Sequence, residues 1–517
     1  MVKIEKNKVA ELAVIIVITL LFLIYGKTTL NDGFYGFRKL YLIISVALIV
    51  LCLVNFFATE VKKISIVKLY LINGIILGII INMLIPVFSV PDEPVHLATA
   101  YNISNKILGK EVAYDGIYMR KCDAELQLEP LGVNETYLDE YLSYFHEPTG
   151  NKEMVKTAYT QLTLPLFQYV IPACGITVGR LLGLNAVWTL ELGRIFNYIM
   201  FVIIVALSIK TIPYGKNIIL AVAIIPTMFQ QAFSYNYDCI INAFAILSVA
   251  LALKLKAEEK KKIKYIIALL ISIMVMVVVK SHAYMAFILL LFVAFDKEVK
   301  NSFIKLKEKL KNNRIIALII GAILLAVCVV IVYFVINKIM LIKKEPVTHV
   351  LSYCGEDGYT LSYAINYPID TAILYFRTLF EQSTFYMISL FGGHMGWLNL
   401  TVSYFAILPI IVMVLLLSCN EGNEASLIKK KDRVLFSIIC VVSILFICTG
   451  MFFSWTATSF LVIDGVQGRY LLPIMTMFLF LIYSSKGIIV TNSLKEKIYR
   501  FIPVIYAFYL VNLIMIY

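Results

Sequence analysis

Several stretches of 17 to 27 residues run almost without charge, 9–25, 315–341 and 435–452 among them. Each is long enough to cross a hydrocarbon core about 30 Å thick. In lipid a backbone must satisfy its own N–H and C=O groups, which leaves helices or closed barrels, and uninterrupted runs of this length are helices. With 61% hydrophobic and only 15% charged residues, no ordinary soluble surface can be assembled. The first run lacks a small-residue cleavage site behind it and reads as a retained span. The expected fold is an all-α polytopic membrane protein.

The net charge of +13 does not point to nucleic acid, because the lysines sit in short runs between apolar spans rather than on one basic face. They orient the chain instead. Lys and Arg concentrate in cytoplasmic loops, and one arrangement places 29 of the 46 on that side, with the N-terminus cytoplasmic. The spans that satisfy it lie near 9–26, 40–58, 69–89, 188–210, 217–233, 239–256, 264–280, 283–295, 315–341, 399–418, 435–452, 470–484 and 500–516. That makes about 13 transmembrane helices in a multi-pass protein of the cell membrane. Large outer segments remain at about 90–187 and 342–398. Within them, 164–184 should lie on or dip into the outer leaflet, and 371–391, broken by Arg377 and Glu381, suits an interfacial amphipathic helix. Nine cysteines show neither CxxC nor CxxxH spacing, so neither a zinc nor a redox motif is expected.

The sharpest local feature is PDEPVH, Pro91 to His96, where the third span emerges outside. Asp92 suits an N-cap and Pro94 a first helical turn. On such a helix Asp92 and His96 lie four apart and face one site, while Glu93 points elsewhere. A carboxylate at a low-dielectric boundary can serve as a general base; the same residues equally suit a plain helix cap with solvated acids. The second feature is DGVQGRYLLP, Asp464 to Pro473, at the outer entrance of a later span. Gly468 permits close backbone approach, Arg469 offers a bidentate fork, and the N–H groups of a starting helix favour an anion such as phosphate. The alternative for Arg469 is snorkelling to the headgroups.

Weaker outer-end candidates are Asp238, Lys280, His282 and the Gly396–Trp397 pair, each of which also suits packing or anchoring in the interfacial belt. Glu191 and Arg194, at i,i+3 spacing inside a span, are placed to neutralise each other, though intramembrane charges also mark sites. His96, His146, His282, His349 and His394 all fall on the outer side. None has ligand spacing, and a divalent metal is left open.

Taken together, PDEPVH, the GRLLGL stretch ending at Leu184, Arg194 in ELGRIFNYI, the Pro226-to-Asp238 element, Lys280, Gly396–Trp397 and Gln467–Pro473 resemble a family of uncharacterised bacterial multi-span membrane proteins. That family is grouped with the GT-C glycosyltransferases. The resemblance covers about 70–481. It implies a GT-C-like catalytic domain over 69–517, with 1–68 as an additional N-terminal pair of helices. It also implies a glycosyltransferase using a polyprenyl-phosphate sugar donor and a cell-envelope glycan or glycolipid acceptor, with the active site on the extracytoplasmic side. Carried onto this chain, Asp92 becomes the base, with Glu93 second and His96 beside them. Arg469 becomes the donor-phosphate ligand, supported by Gln467, Tyr470 and Lys280. Asp92 and Glu93 are adjacent rather than spaced as DxD, which leaves metal dependence open. The rival expectation is a transporter or flippase for polysaccharide or lipid-linked sugar, using the same acids and Arg194.

Overall fold

A computed structural model describes residues 6–30, 35–126, 135–298, 338–420, 427–483 and 489–517, with a few positions between 300 and 308. Among the described residues, seven helices are long and apolar enough to cross a membrane. They are Lys6–Thr29, Tyr35–Glu60, Ile66–Leu84, Ala186–Thr211, Asp238–Ala257, Lys430–Ser454 and Asn492–Ile514. Shorter apolar helices, including Ile263–Val279, Tyr404–Ser418 and Gly468–Tyr483, pack among them. The chain is an all-α polytopic membrane protein, and its only described strands form three two-stranded antiparallel ribbons in the connecting segments. The span expected at 315–341 lies almost wholly outside the described residues.

Several of the expected spans are not single helices. Residues 217–233 fold as Lys216–Ala223 followed by Pro226–Ala232, because Pro226 has no N–H to continue the first helix and instead opens a second one. Residues 283–295 are likewise short pieces, Ser281–Tyr284, Met285–Leu289 and Leu290–Ala294. The stretch expected at the outer leaflet forms Val170–Leu181, about 18 Å long and too short to cross. It doubles back against Ala186–Thr211. Two glycines allow that contact: a Cβ added at Gly175 would meet the Leu192 carbonyl oxygen at 2.3 Å, and one at Gly179 would meet the Thr189 Cα at 2.8 Å. Pro368–Glu381 keeps Ile369, Phe376 and Phe380 exposed, as a helix lying on a membrane surface would.

The first two helices are fastened to the last. Asn55 and Asn73 exchange amide hydrogen bonds at 2.8 and 3.0 Å, and Asn55 also donates to the Tyr499 carbonyl at 3.0 Å. Arg500 pairs with Glu11 at 2.8 Å and with Glu60. Glu60 precedes Ile66–Leu84, whose other end leads to Pro91, so this ionic cluster and PDEPVH occupy opposite ends of the bundle. Asp238–Ala257 gives the same polarity. Asp238 opens it, and Lys256, paired with Asp432, closes it about 27 Å away.

Candidate functional site

After Ile66–Leu84 the chain turns through 85–92 and starts a new helix at Glu93. Asp92 stands at the junction with φ 65° and ψ 0°, in the left-handed region, which a side chain other than Gly, Asn or Asp rarely tolerates. Its carboxylate makes no capping bond to the helix behind it, so the plain-cap reading of Asp92 is not the one adopted. Three groups fix the turn. Trp397 Nε1 donates to the Val90 carbonyl, Asn236 Nδ2 donates to the Pro91 carbonyl at 2.8 Å, and Glu93 accepts from the Phe88 N–H at 2.9 Å. Trp397 is itself held in register by Gln230, whose amide exchanges two hydrogen bonds with the Gly396 backbone at 2.9 and 3.1 Å.

Arg469 comes from the opposite end of the sequence. Its Nη2 donates to Asp92 Oδ2 at 2.9 Å and to the Tyr470 hydroxyl at 3.2 Å, and its Nη1 donates to the Pro91 carbonyl at 3.3 Å. Its Nε lies 3.8 Å from Asp238 Oδ2 and has no hydrogen-bond partner among the described residues. The guanidinium is 5% exposed and the Asp92 carboxylate 54%, so the pair joins an enclosed cation to an acid at the site's opening. Gly468 makes the approach possible: a Cβ there would lie 2.3 to 2.4 Å from the Leu390 nitrogen, the Ser389 Oγ and the Tyr386 carbonyl oxygen. The helix-start N–H of Gly468 is already satisfied by Ser389 Oγ at 3.0 Å. Of the helix-start N–H groups expected to favour an anion, that of Gly468 is therefore already taken.

Around this pair stand further expected residues. The Lys280 ammonium sits 3.9 Å above the Tyr470 ring and 5.5 Å from the Tyr237 ring, a cation–π arrangement. Among the described residues no carboxylate lies within ion-pair distance of it. Tyr284 donates to the Tyr470 carbonyl at 2.9 Å and holds that ring in place. His96 is buried, with its Nδ1 2.7 Å from the Tyr169 hydroxyl and its ring edge-on to Tyr237 at 5.2 Å. Burial pushes the imidazole down to about 4, while the charges of Asp92 and Asp238 pull the other way and those of Arg469 and Lys280 add to the depression. His96 is thus a neutral hydrogen-bonding group at pH 7. Gln467 contributes an enclosed side-chain Oε1 with no partner among the described residues.

Glu93 and Arg194 occupy a different position from Asp92. The Glu93 carboxylate is fully enclosed, accepting from the Phe88 and Tyr235 N–H groups and lying 3.3 Å from Arg194 Nε. Arg194 also donates to Glu191 at 2.7 Å and to the Phe233 and Ile85 carbonyls at 2.7 and 3.0 Å. Glu191 in turn accepts from Tyr141 at 2.6 Å and from Asn82 at 2.8 Å. Glu191 and Arg194 neutralise each other as their spacing suggests. Glu93 completes the network that supports the turn carrying Asp92, and its side chain is closed off from the surface.

The structure therefore gathers Asp92, His96, Asp238, Lys280, Arg469 and Tyr470 into one region, with Trp397 behind it and Glu93 and Arg194 beneath it. The His282 side chain lies outside the described residues. Tyr169, Tyr237, Tyr284 and Asn236 belong to the region but carry no motif; only the clustering of Tyr and Asn just before Asp238 was a visible signal. Among the described residues no group of three or more His, Cys, Asp or Glu side chains is arranged to hold a metal ion.

A family model described as "Predicted membrane protein (DUF2142)" matches residues 75–478. The match includes every residue of the site from Asp92 to Tyr470 and begins beyond the first two helices. No curated protein and no solved structure matches the chain.

Proposed function

The chain belongs to the DUF2142 family of predicted membrane proteins, and from that premise we propose that it is a membrane glycosyltransferase of GT-C type. It moves a sugar from a polyprenyl-phosphate donor to a cell-envelope glycan or glycolipid. The observation that carries this reading is the meeting of Asp92 with Arg469 at 2.9 Å, beside Lys280 and at the end of the bundle away from the Arg500 and Lys256 ion pairs. Lys and Arg loop density supports reading that end as the extracytoplasmic one.

In the reaction, the acceptor hydroxyl attacks the anomeric carbon and the bond from that carbon to the phosphate oxygen breaks. The acceptor's proton passes to Asp92, and polyprenyl phosphate leaves with the bonding electrons. Arg469 and Lys280 stabilise the charge that builds on the leaving phosphate in a water-poor setting, which is where fixed cations contribute most. Arg469 is occupied by Asp92 before substrate arrives. A donor phosphate competes for the same guanidinium, so its binding releases the carboxylate beside the acceptor and couples donor arrival to availability of the base. Gln467 and Tyr470 line the phosphate's place, and neutral His96 orients hydroxyl groups.

The test is release of free polyprenyl phosphate by the purified protein supplied with a pool of polyprenyl-phosphate sugars and envelope glycan acceptors. Release that stops in Asp92→Asn supports the transferase. Passage of the intact lipid-linked sugar across a vesicle membrane without any release would make the protein a flippase and overturn the proposal.

A further inference from the structure

Two aromatic rings stand open beside the segment that leads to Arg469. Lys430–Ser454 starts where Asp432 pairs with Lys256, and so it ends, with Trp455, at the Asp92 end of the bundle. Against it folds the hairpin of Thr348–Val350 and Asp357–Tyr359. A bridge between Gly358 and Ala457, and the Thr458 N–H donating to the Asp357 carbonyl at 2.8 Å, join the hairpin to the residues after Trp455. Tyr353, in the hairpin turn, donates its hydroxyl to the Trp455 carbonyl at 2.6 Å, and the two rings lie 4.5 Å apart at 36°. Trp455 is still 42% exposed and Tyr353 45%, so main-chain pairing holds two large rings at a fixed angle with much of their surface free.

The groups around the rings decide what they take. Glu356, Asp357 and Asp464 are all exposed, and among the described residues no Lys or Arg pairs with any of the three. The charges of Glu356 and Asp464 act on the Tyr353 hydroxyl, and Ser459 donates to Glu356 at 2.6 Å, keeping that carboxylate beside the loop after Trp455. Aromatics that anchor a chain in a bilayer work with Lys and Arg, which reach lipid phosphate. Here the companions are carboxylates, which phosphate repels. A pyranose fits instead: its C–H face carries the partial positive charge that the negative face of an aromatic ring attracts, and its hydroxyls donate to carboxylate oxygens.

The pair is also continuous with the Arg469 site. A Cβ on Gly465 would meet Trp455 Cβ at 3.2 Å and Cγ at 3.4 Å, so Trp455 packs on the segment leading to Gln467. Arg469 follows Gly465 by four positions, a reach of at most about 14 Å. That segment is pinned at the Ile463 N–H by Thr378 Oγ1 at 2.8 Å and at the Gly468 N–H by Ser389 Oγ at 3.0 Å. We infer that Trp455 and Tyr353 form a stacking platform for a sugar unit of an uncharged acceptor glycan, whose end extends toward Asp92. The inference rests on the transferase reading and narrows its acceptor, because the acidic rim turns away glycans that carry carboxylate or phosphate.

The experiment immobilises the full chain in phosphatidylcholine nanodiscs, with no donor present. It measures binding of envelope polysaccharide from the cells that make the protein, separated by anion exchange into neutral and acidic fractions. The neutral fraction should bind about tenfold more tightly than the acidic one. It should also shield Trp455 from acrylamide, read as the fluorescence difference between wild type and Trp455→Phe. Trp455→Ala should weaken neutral binding about tenfold, and Glu356→Gln with Asp464→Asn, which keeps both rings, should admit the acidic fraction. No binding of the neutral fraction, equal binding of both fractions by the wild type, unchanged binding in Trp455→Ala, refusal of the acidic fraction by the double variant, or quenching of Trp455 by brominated lipid would overturn the inference. No sugar is transferred in this assay, so lost binding removes the platform alone. Intact binding with no release of polyprenyl phosphate in the transfer assay counts against the transferase and leaves the glycan surface standing.

Discussion

Arg469 donates to Asp92 at 2.9 Å although 377 positions separate them in the chain. Removing either partner should have different consequences. Asp92→Asn keeps an oxygen for Arg469 and suits the left-handed backbone, so the protein should fold while polyprenyl phosphate release falls about 10²- to 10⁴-fold, the range for loss of a general base. Arg469→Lys should also lose most turnover, because an ammonium cannot replace a planar fork. Release near the wild-type rate in Asp92→Asn would remove the carboxylate from the mechanism.

Gly468→Ala should destabilise the protein by about 1–3 kcal/mol, as overpacking does, because its Cβ would lie 2.3 Å from the Leu390 backbone nitrogen. Thermal unfolding in detergent, read against wild type, measures this. An unchanged midpoint would mean that the 386–390 segment gives way at little cost.

Arg194→Met leaves Glu93 and Glu191 buried without their cation, and breaking such a group costs about 3–5 kcal/mol. Yield and thermal stability should collapse in Arg194→Met while Asp92→Asn remains close to wild type. A stable Arg194→Met protein with lost activity would instead move Arg194 toward the chemistry.

The pH dependence of stability follows from His96. Its imidazole titrates at about 4 when folded and near 6.5 when unfolded, so the unfolded chain binds more protons between those values. Stability is then complete above about pH 6.5 and is lost as pH falls towards 4, by about 3 kcal/mol in all. Acid titration of the unfolding midpoint should show this loss in wild type and a shallower slope in His96→Gln. Equal slopes would place the acid sensitivity elsewhere.

The spans were legible because a bilayer demands long apolar runs, and 9–26, 40–58, 239–256 and 435–452 fall within helices of the structure. Breaks inside apolar runs were harder to see. Pro226 was visible, but an apolar run around a proline reads the same whether the helix bends or restarts. In the site, PDEPVH and VQGRYLLP were legible because charged residues beside a membrane carry an energetic penalty that demands a reason. Their division of labour was not. Asp92 and Glu93 are chemically alike and adjacent, and what separates them is the reach of Arg194 from 101 positions away, a tertiary fact with no local trace. Tyr169 meets His96 across 73 positions and is equally silent in sequence.

The backbone at Asp92 narrows what can replace it more than the chemistry does. A scan of all substitutions at this position, scored only for accumulation of folded protein, would be survived best by Asn and Gly, because the torsion angles there exclude branched and bulky side chains before any substrate is met. Glutamate, the other natural carboxylate, would have to adopt the same disfavoured torsion and also swing a longer arm past the guanidinium. Restoring activity by simple exchange of one acid for the other is therefore closed off at the level of the main chain.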